Sequence, residues 1–313
     1  MTNIVPITLV AAGAALCLVL GANNIATCLG TAMSSRAIRY RHAVLVASMG
    51  LMAGVVLEGG KLSNAVTRGV APEVGLDALL AATLSALTIM AFLTWLRLPI
   101  SMTQVFVGAV VGATLARGGM INLWFTGLVV ISWLLTPVAG VTAAIVISLV
   151  TRAVAKRIRR VILLNIAYTW LTIASGFYSS YVLGANGVGL VAGASGAPPQ
   201  LRPWVAVGLG TATVAGMIIF GRGTTRSVAE NLVGLNMPAA MAAQIGGAMT
   251  VHGFTQVGMP VSISQAVVGG IFGPPMLRKL VVRNSRLVRQ LILWWTAAPL
   301  SAAIIAFGLA TVL

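Results

Sequence analysis

Acidic residues are nearly absent from this sequence. Its 313 residues contain 4 Asp and Glu against 20 Lys and Arg, and charged residues of both signs make up only 8% of the chain. A soluble domain carries about 25% charged residues, so water cannot solvate the whole surface of this chain. The shortage excludes a soluble protein and predicts that lipid covers most of the molecule.

Cysteine and histidine are also scarce, with two of each. Cys17 and Cys28 lie in or beside apolar stretches, where neither a disulfide nor a metal site is expected. The sequence has no visible carboxylate pair, metal-ligand cluster or nucleophile–base set, so it predicts no enzyme, bound metal or cofactor. The net charge of +16 does not indicate a nucleic-acid partner, because the basic residues stand in short clusters between apolar runs, as membrane topology requires.

Long apolar runs fill most of the chain, which is 58% hydrophobic. Several approach the ~20 residues that span a bilayer. The run 42–57 is shorter and is predicted to extend into its flanks, whereas 123–151 contains Pro137, which predicts a kinked or tilted helix. No basic residue precedes the first run, so we expect a membrane helix there and not a cleaved signal. The ten runs, each predicted to cross the membrane, are 4–21, 42–57, 77–96, 99–116, 123–151, 161–183, 203–220, 237–257, 260–276 and 290–313.

Two further segments are too polar to face lipid as plain helices. They are GANNIATCLGTAMSS (21–35) and GANGVGLVAGASGAPP (184–199), both rich in Gly, Ala, Ser and Asn. Irregular backbone at membrane depth is tolerated only where it lines a cavity or is buried in protein. We therefore predict a broken or re-entrant segment at each place.

The sequence also repeats itself. Three segments of the first half recur in the second half in the same order, at nearly constant offsets of 163, 162 and 161 residues. Shared membrane composition would not preserve this spacing, so the pattern predicts an internal duplication. The matched pairs are GAN (21–23) with GAN (184–186), GGKLSNAV (59–66) with GRGTTRSV (221–228), and LPISMTQVFVGAVVGA (98–113) with MPVSISQAVVGGIFGP (259–274).

Basic residues predict the orientation of the two copies, because they mark the cytoplasmic side of a membrane. The loop 36–41 holds three arginines, whereas its counterpart 197–203 holds one. The loop 117–122 holds one arginine, whereas its counterpart 277–289 holds five basic residues. Corresponding loops are therefore expected on opposite sides, as an odd number of crossings in each copy also requires.

The predicted fold class follows: an all-α membrane protein of two inverted five-helix repeats, each with a broken or re-entrant segment. The first repeat is 1–151, a basic cytoplasmic linker is 152–160, and the second repeat is 161–313. The protein is predicted to be a multi-pass component of the cell membrane with both termini outside the cytoplasm. This architecture is typical of transporters. The sequence leaves the oligomeric state open, including a homo-oligomer.

The strongest candidates for binding a substrate are polar residues that follow a proline at the start of an apolar run. Proline suits the first helical turn, and a helix N-terminus within the membrane offers unpaired amides and partial positive charge to an anion. Hydroxyl groups add donors without adding charge. Two such N-termini meeting across a pseudo-two-fold axis would enclose a tetrahedral oxyanion. The candidates are Ser101, Thr103 and Gln104 after Pro99, and Ser262, Ser264 and Gln265 after Pro260.

Other polar residues are secondary candidates. Asn23 and Asn186 recur in the two GAN segments, and ligand contact and helix support are equally open for them. Asn24 and His252 are candidates for coupling to Na⁺ or H⁺, although a lone histidine is more often structural. For the few carboxylates, including Glu58, a solvated position is favoured. The weakest substrate candidates are Ser63, Thr225, Ser227 and Gln244.

At these residues the sequence resembles the inorganic phosphate transporter (PiT) family, which carries a duplicated GAND-type motif, a GGK-type step and a duplicated PVSTTH-type motif. The resemblance spans both halves and implies an inverted-repeat secondary carrier that couples phosphate to Na⁺ or H⁺. It also implies that the GAN segments and the Pro–Ser steps line the site. The counterparts are GANN (21–24), GGK (59–61), PISMTQ (99–104), GANG (184–187) and PVSISQ (260–265).

The departures from the family pattern bear on the substrate. Asn24 and Gly187 replace the two aspartates, and Gln104 and Gln265 replace the two histidines. Loss of the carboxylates removes ligands suited to Na⁺ and acceptors for the proton of hydrogen phosphate, which favours sulfate. Family prevalence favours phosphate. We predict a secondary active transporter that takes up phosphate with a coupling cation by alternating access; the alternatives are a sulfate permease and, less favoured, an anion channel.

Overall fold

A computed structural model describes residues 4–35, 37–231, 236–277 and 285–313, and within these ranges the only regular structure is helical. Arg36 and most of the predicted basic loop 277–289 lie outside the described residues. The helices are α1 (Ile4–Ser34), α2 (Tyr40–Glu58), α3 (Leu76–Trp95), α4 (Met102–Ala116), α5 (Leu123–Ala155), α6 (Val161–Leu183), α7 (Gly189–Gly193), α8 (Arg202–Asn231), α9 (Met237–Gln256), α10 (Ile263–Met276) and α11 (Ser285–Val312).

Each of the ten predicted runs coincides with a helix. The shorter run does extend, because α2 is followed by a 3₁₀ turn (Gly59–Leu62) and a π-helical turn (Ala65–Val70). Helix α5 continues through Pro137. Helices α4 and α10 are the shortest of these ten, with 15 and 14 residues, and the non-helical residues 98–101 and 260–262 precede them. At 1.5 Å per residue the two helices measure about 22 Å, less than the ~30 Å hydrocarbon core. In the described part of the chain, seven helices are long and apolar enough to span the core; α9, with 20 residues, is long enough but is not among these seven.

The segments predicted to be broken at 21–35 and 184–199 are mainly helical. Helix α1 runs without interruption to Ser34, and α6 continues through a π-helical turn (Gly184–Val188) into α7. The small residues serve close packing: a Cβ atom on Gly21 would lie 1.8 Å from the Thr213 carbonyl oxygen of α8. The composition that suggested a break therefore reflects tight helix contacts.

Irregular buried backbone lies elsewhere, between α3 and α4 and between α9 and α10. Both connections begin with a residue of positive φ, Arg97 at 59° and Gly258 at 74°. The residues that follow, 98–101 and 260–262, are non-helical and buried. The polar groups of this backbone must find partners within the protein, because lipid offers none.

Helix packing pairs the two halves of the chain reciprocally. Helix α1 packs on α8 as α6 packs on α2, and α4 packs on α11 as α10 packs on α5. Two close approaches match: a Cβ on Gly108 would lie 2.4 Å from the Pro299 oxygen, and one on Gly269 would lie 2.3 Å from the Pro137 oxygen. These glycines let α4 and α10 lie directly against the proline turns of the two long helices.

Candidate functional site

The N-termini of α4 and α10 have the same capping geometry. Ser101 precedes α4, and its hydroxyl accepts a hydrogen bond from the Gln104 amide at 3.3 Å. Ser262 precedes α10 and accepts from the Gln265 amide at 3.2 Å. Serine is favoured here because its side chain satisfies one of the unpaired amides of the first turn. The two Pro–Ser steps therefore start two helices in the same way.

Hydrogen bonds join these two N-termini directly. The Thr103 hydroxyl donates to the Val261 carbonyl oxygen at 3.1 Å. The Ser264 hydroxyl contacts the Ile100 carbonyl oxygen at 3.2 Å, the corresponding bond from the other half. The indole of Trp133 donates to the Pro260 carbonyl oxygen at 2.9 Å. Residues that are about 160 positions apart in the sequence thus form one centre, and the irregular backbone there is satisfied by protein.

A small cavity lies between the two N-termini. The unpaired amides and partial positive charge of two helix starts favour an anion there. The four hydroxyl side chains that line it are at most 5% exposed, so they are shielded from the surroundings. Its uncharged wall consists of Leu20, Asn24, Ser101, Met102, Thr103, Leu183, Asn186, Gly187, Val261, Ser262, Ile263 and Ser264.

The asparagines take different positions around this cavity. Asn23 supports the backbone: its amide donates to the Thr94 hydroxyl and the Leu98 carbonyl, both at 2.9 Å, and its oxygen accepts from the Ile100 amide at 3.0 Å. Asn186 donates to the Thr255 hydroxyl at 3.0 Å and also lines the cavity.

The sequence analysis missed Thr27 of α1, which contacts a residue of the cavity wall. The Asn24 oxygen accepts from the Ser264 hydroxyl at 3.1 Å. The same hydroxyl lies 3.3 Å from that of Thr27, which is 3% exposed. Thr27 lies three residues after Asn24, so both side chains lie on one helix face. This spacing could have indicated Thr27 from the sequence.

Gln104 and Gln265 do not line the small cavity. They line a large apolar groove of about 760 Å³ between α5 and α11, together with Trp133 and Trp295. The structure therefore places these two side chains away from the small cavity, in which the sequence analysis expected them. The amide groups of the same residues do form the caps.

Two of the weaker candidates, Gln244 and Ser63, lie outside the cavity. The Gln244 side chain donates to the Cys28 carbonyl and accepts from the Ser175 hydroxyl at 2.9 Å, so it ties α9 to α1 and α6. Ser63 bonds to the Gly60 carbonyl in its own turn. The side chains of Thr225 and Ser227 lie outside the described residues.

Glu58 and His252 are joined by a hydrogen bond that the sequence analysis did not predict. His252 Nε2 lies 2.9 Å from Glu58 Oε2, and its Nδ1 lies 2.7 Å from the Tyr178 hydroxyl. Glu58 is therefore only partly exposed, and its carboxylate is bound by a helix of the other half. The partners are 194 residues apart, and no local pattern connects them.

Comparison with known proteins gives matches over nearly the whole chain. The phosphate transporter family matches twice, over residues 20–167 and 160–306. A Methanocaldococcus jannaschii protein described as a phosphate permease is 29% identical over 92% of this chain and 91% of its own. A Bacillus subtilis protein described as a probable low-affinity inorganic phosphate transporter is 22% identical, over 91% and 90%. A solved structure described as the sodium-dependent phosphate transporter superposes with a TM-score of 0.86 at 22% identity, covering 100% and 99% of the two chains, and this establishes the fold.

Proposed function

This chain belongs to the phosphate transporter family, and on that premise we propose that it takes up inorganic phosphate with a coupling cation by alternating access. The anion binds in the small cavity between the N-termini of α4 and α10. The observation that carries this proposal is the reciprocal pair of contacts, from the Thr103 hydroxyl to the Val261 carbonyl oxygen and from the Ser264 hydroxyl to the Ile100 carbonyl oxygen. These contacts hold two capped helix starts around one uncharged space.

The chemistry of the wall suits hydrogen phosphate. Hydroxyls and first-turn amides donate to the anion oxygens. The amide oxygens of Asn24 and Asn186 can accept the proton that hydrogen phosphate carries and sulfate lacks. Together with the family, this favours phosphate over the sulfate alternative that the missing aspartates suggested.

Alternating access follows from two inverted repeats, 1–151 and 161–313, that move against each other about the cavity. Three features support this arrangement: the reciprocal helix contacts, the matching glycine–proline approaches, and the family match to each half in turn. The basic linker 152–160 lies in the cytoplasm and both termini lie outside.

Uptake requires a coupling cation on energetic grounds. A dianion that enters against −100 mV costs about 4.6 kcal/mol, from about 2.3 kcal/mol per charge. This cost corresponds to a factor of about 10³ against accumulation. Co-transported Na⁺ or H⁺ offsets it.

The test is phosphate uptake by purified protein in liposomes with imposed Na⁺ or H⁺ gradients. The double variant Ser101→Ala, Ser262→Ala is expected to raise the KM for phosphate about tenfold or more, because each hydroxyl contributes a hydrogen bond to a charged ligand. Ser132→Ala is the matched control, since this buried hydroxyl bonds to the Leu128 carbonyl of its own helix. A wild-type KM in the double variant would place the site elsewhere, and uptake of sulfate in preference to phosphate would reject the substrate.

A further inference from the structure

Three side chains from three helices form a chain of hydrogen bonds near one end of the cavity. Glu58 is the last residue of α2, His252 lies on α9 and Tyr178 lies on α6. The imidazole bridges the other two, at 2.9 Å to the carboxylate and 2.7 Å to the phenol. We call Glu58, His252 and Tyr178 the histidine cluster. The side chains of His252 and Glu58 are 24% and 21% exposed, so water reaches them.

The cluster can bind a proton without moving any heavy atom. In the neutral imidazole, Nε2–H donates to the Glu58 carboxylate while Nδ1 accepts from the Tyr178 hydroxyl. When Nδ1 gains a proton, it becomes the donor to the phenol oxygen, and only the hydroxyl hydrogen of Tyr178 must rotate. Both protonation states therefore keep both hydrogen bonds.

Other groups surround the histidine cluster. Gln256 donates to the same Glu58 oxygen at 2.8 Å. The Tyr181 ring lies 5.9 Å from the imidazole. Lys61, on the turn after Glu58, is exposed to solvent. The residues of α5 and α10 that are buried against α9 carry no charge, so the carboxylate is the dominant charge that His252 meets.

The cluster is connected to the substrate cavity through α9. Thr255 lies one helical turn after His252 and accepts from Asn186, which lines the cavity. The chain then turns at Gly258 and reaches the Ser262 cap of α10. A change in how α9 is held against α2 and α6 is therefore transmitted to both Asn186 and the capping serine.

We propose that the histidine cluster is the proton site that couples phosphate uptake to the proton gradient. The inference rests on the proposed function, because it names the coupling cation of the same carrier. A proton from water on one side binds at His252 Nδ1 and forms an imidazolium paired with Glu58. It leaves to water on the other side after the carrier has reoriented. One proton per cycle cancels one charge of the transported dianion.

The experiment measures two activities of each variant in proteoliposomes. One is phosphate accumulation and proton entry, reported by an internal pH dye, under an inward proton gradient without Na⁺. The other is phosphate–phosphate exchange at equal pH on both sides. With a tenfold proton gradient, wild-type protein is expected to accumulate phosphate about tenfold per coupled proton. His252→Gln and Glu58→Gln are expected to lose accumulation and proton entry but keep exchange.

His42→Gln is the matched control, because the only other histidine of the chain lies exposed at the start of α2. It should behave as wild type in both assays. Proton-coupled accumulation that survives in His252→Gln overturns the inference, as does a wild type that responds to Na⁺ alone. If both cluster variants lose exchange while His42→Gln keeps it, a role confined to coupling is overturned. A wild type without any exchange of phosphate rejects the proposed function itself.

Discussion

Asn23 and Asn186 occupy corresponding positions in the two GAN segments, but the structure gives them different surroundings. Asn23 is fully buried and makes three hydrogen bonds, two of them to the backbone that leads into α4. Asn186 bonds to Thr255 and borders the cavity. The sequence left ligand contact and helix support equally open for both. The contacts show that Asn23 supports the backbone, whereas ligand contact by Asn186 stays a prediction that its place on the cavity wall allows.

The two asparagine-to-alanine variants should therefore differ in kind. Asn23→Ala leaves a buried carbonyl and a buried amide without partners, and we expect it to lower the free energy of unfolding by about 2–4 kcal/mol. Asn186→Ala should lower stability by only about 1 kcal/mol and raise the KM for phosphate. Thermal unfolding in detergent and uptake in liposomes measure the two effects, with exposed Asn165→Ala on α6 as the control. Equal loss of stability in both variants would contradict the division of roles.

Glycine positions on α4 and α10 determine how closely these short helices approach the long ones. Gly269 lies where the Pro137 carbonyl oxygen contacts the helix backbone, and Gly108 meets Pro299 in the same manner. Small residues at such crossings permit backbone contact in membrane proteins. Because α4 and α10 carry the capping serines at their N-termini, this contact also fixes the position of the candidate site.

Adding one methyl group should separate the helices. Gly269→Ala places a Cβ 2.3 Å from backbone that cannot yield easily, and we expect it to destabilise the protein by about 1–3 kcal/mol. Gly308→Ala on α11 is the matched control, since nothing lies within 4 Å of its added Cβ. The control should be neutral or stabilising by about 0.5–1 kcal/mol. Equal melting temperatures for the two variants would show that α10 does not depend on this contact.

The sequence could predict the helices but not where their backbone becomes irregular. Apolar length alone located α2, α5 and the other runs, because lipid imposes that length. The glycine and alanine residues at 21–35 were compatible with either a helix break or close helix packing. Only the position of α8 against α1 distinguishes the two explanations. The true irregular turns lie at Arg97 and Gly258, and an arginine carries no turn preference. The capping serines were found because proline and serine act locally, whereas the Glu58–His252 pair depends on tertiary structure.

At the scale of the whole molecule, the site depends on the two halves having opposite directions. If the repeats ran parallel, corresponding helix starts would point the same way and would not face each other across one cavity. The contacts between α4 and α10 relate the two halves reciprocally, and the opposed direction of the repeats stays a prediction. The distribution of basic residues predicts independently on which side of the membrane each loop lies, because this distribution depends on the bilayer and not on helix packing. The decisive measurement therefore compares the sides on which corresponding loops of the two repeats lie.

Cysteine labelling in intact cells tests this orientation. Ala37 and Gln200 stand 163 residues apart in corresponding loops, and Ala37→Cys keeps all three arginines of its loop. A membrane-impermeant maleimide is expected to label Gln200→Cys from outside, and to label Ala37→Cys and Lys156→Cys only after permeabilisation. The native Cys17 and Cys28 are buried, so the wild type should remain unlabelled. Labelling of Ala37→Cys and Gln200→Cys from the same side would show that the repeats are parallel. Two opposed helix starts could then not enclose the anion.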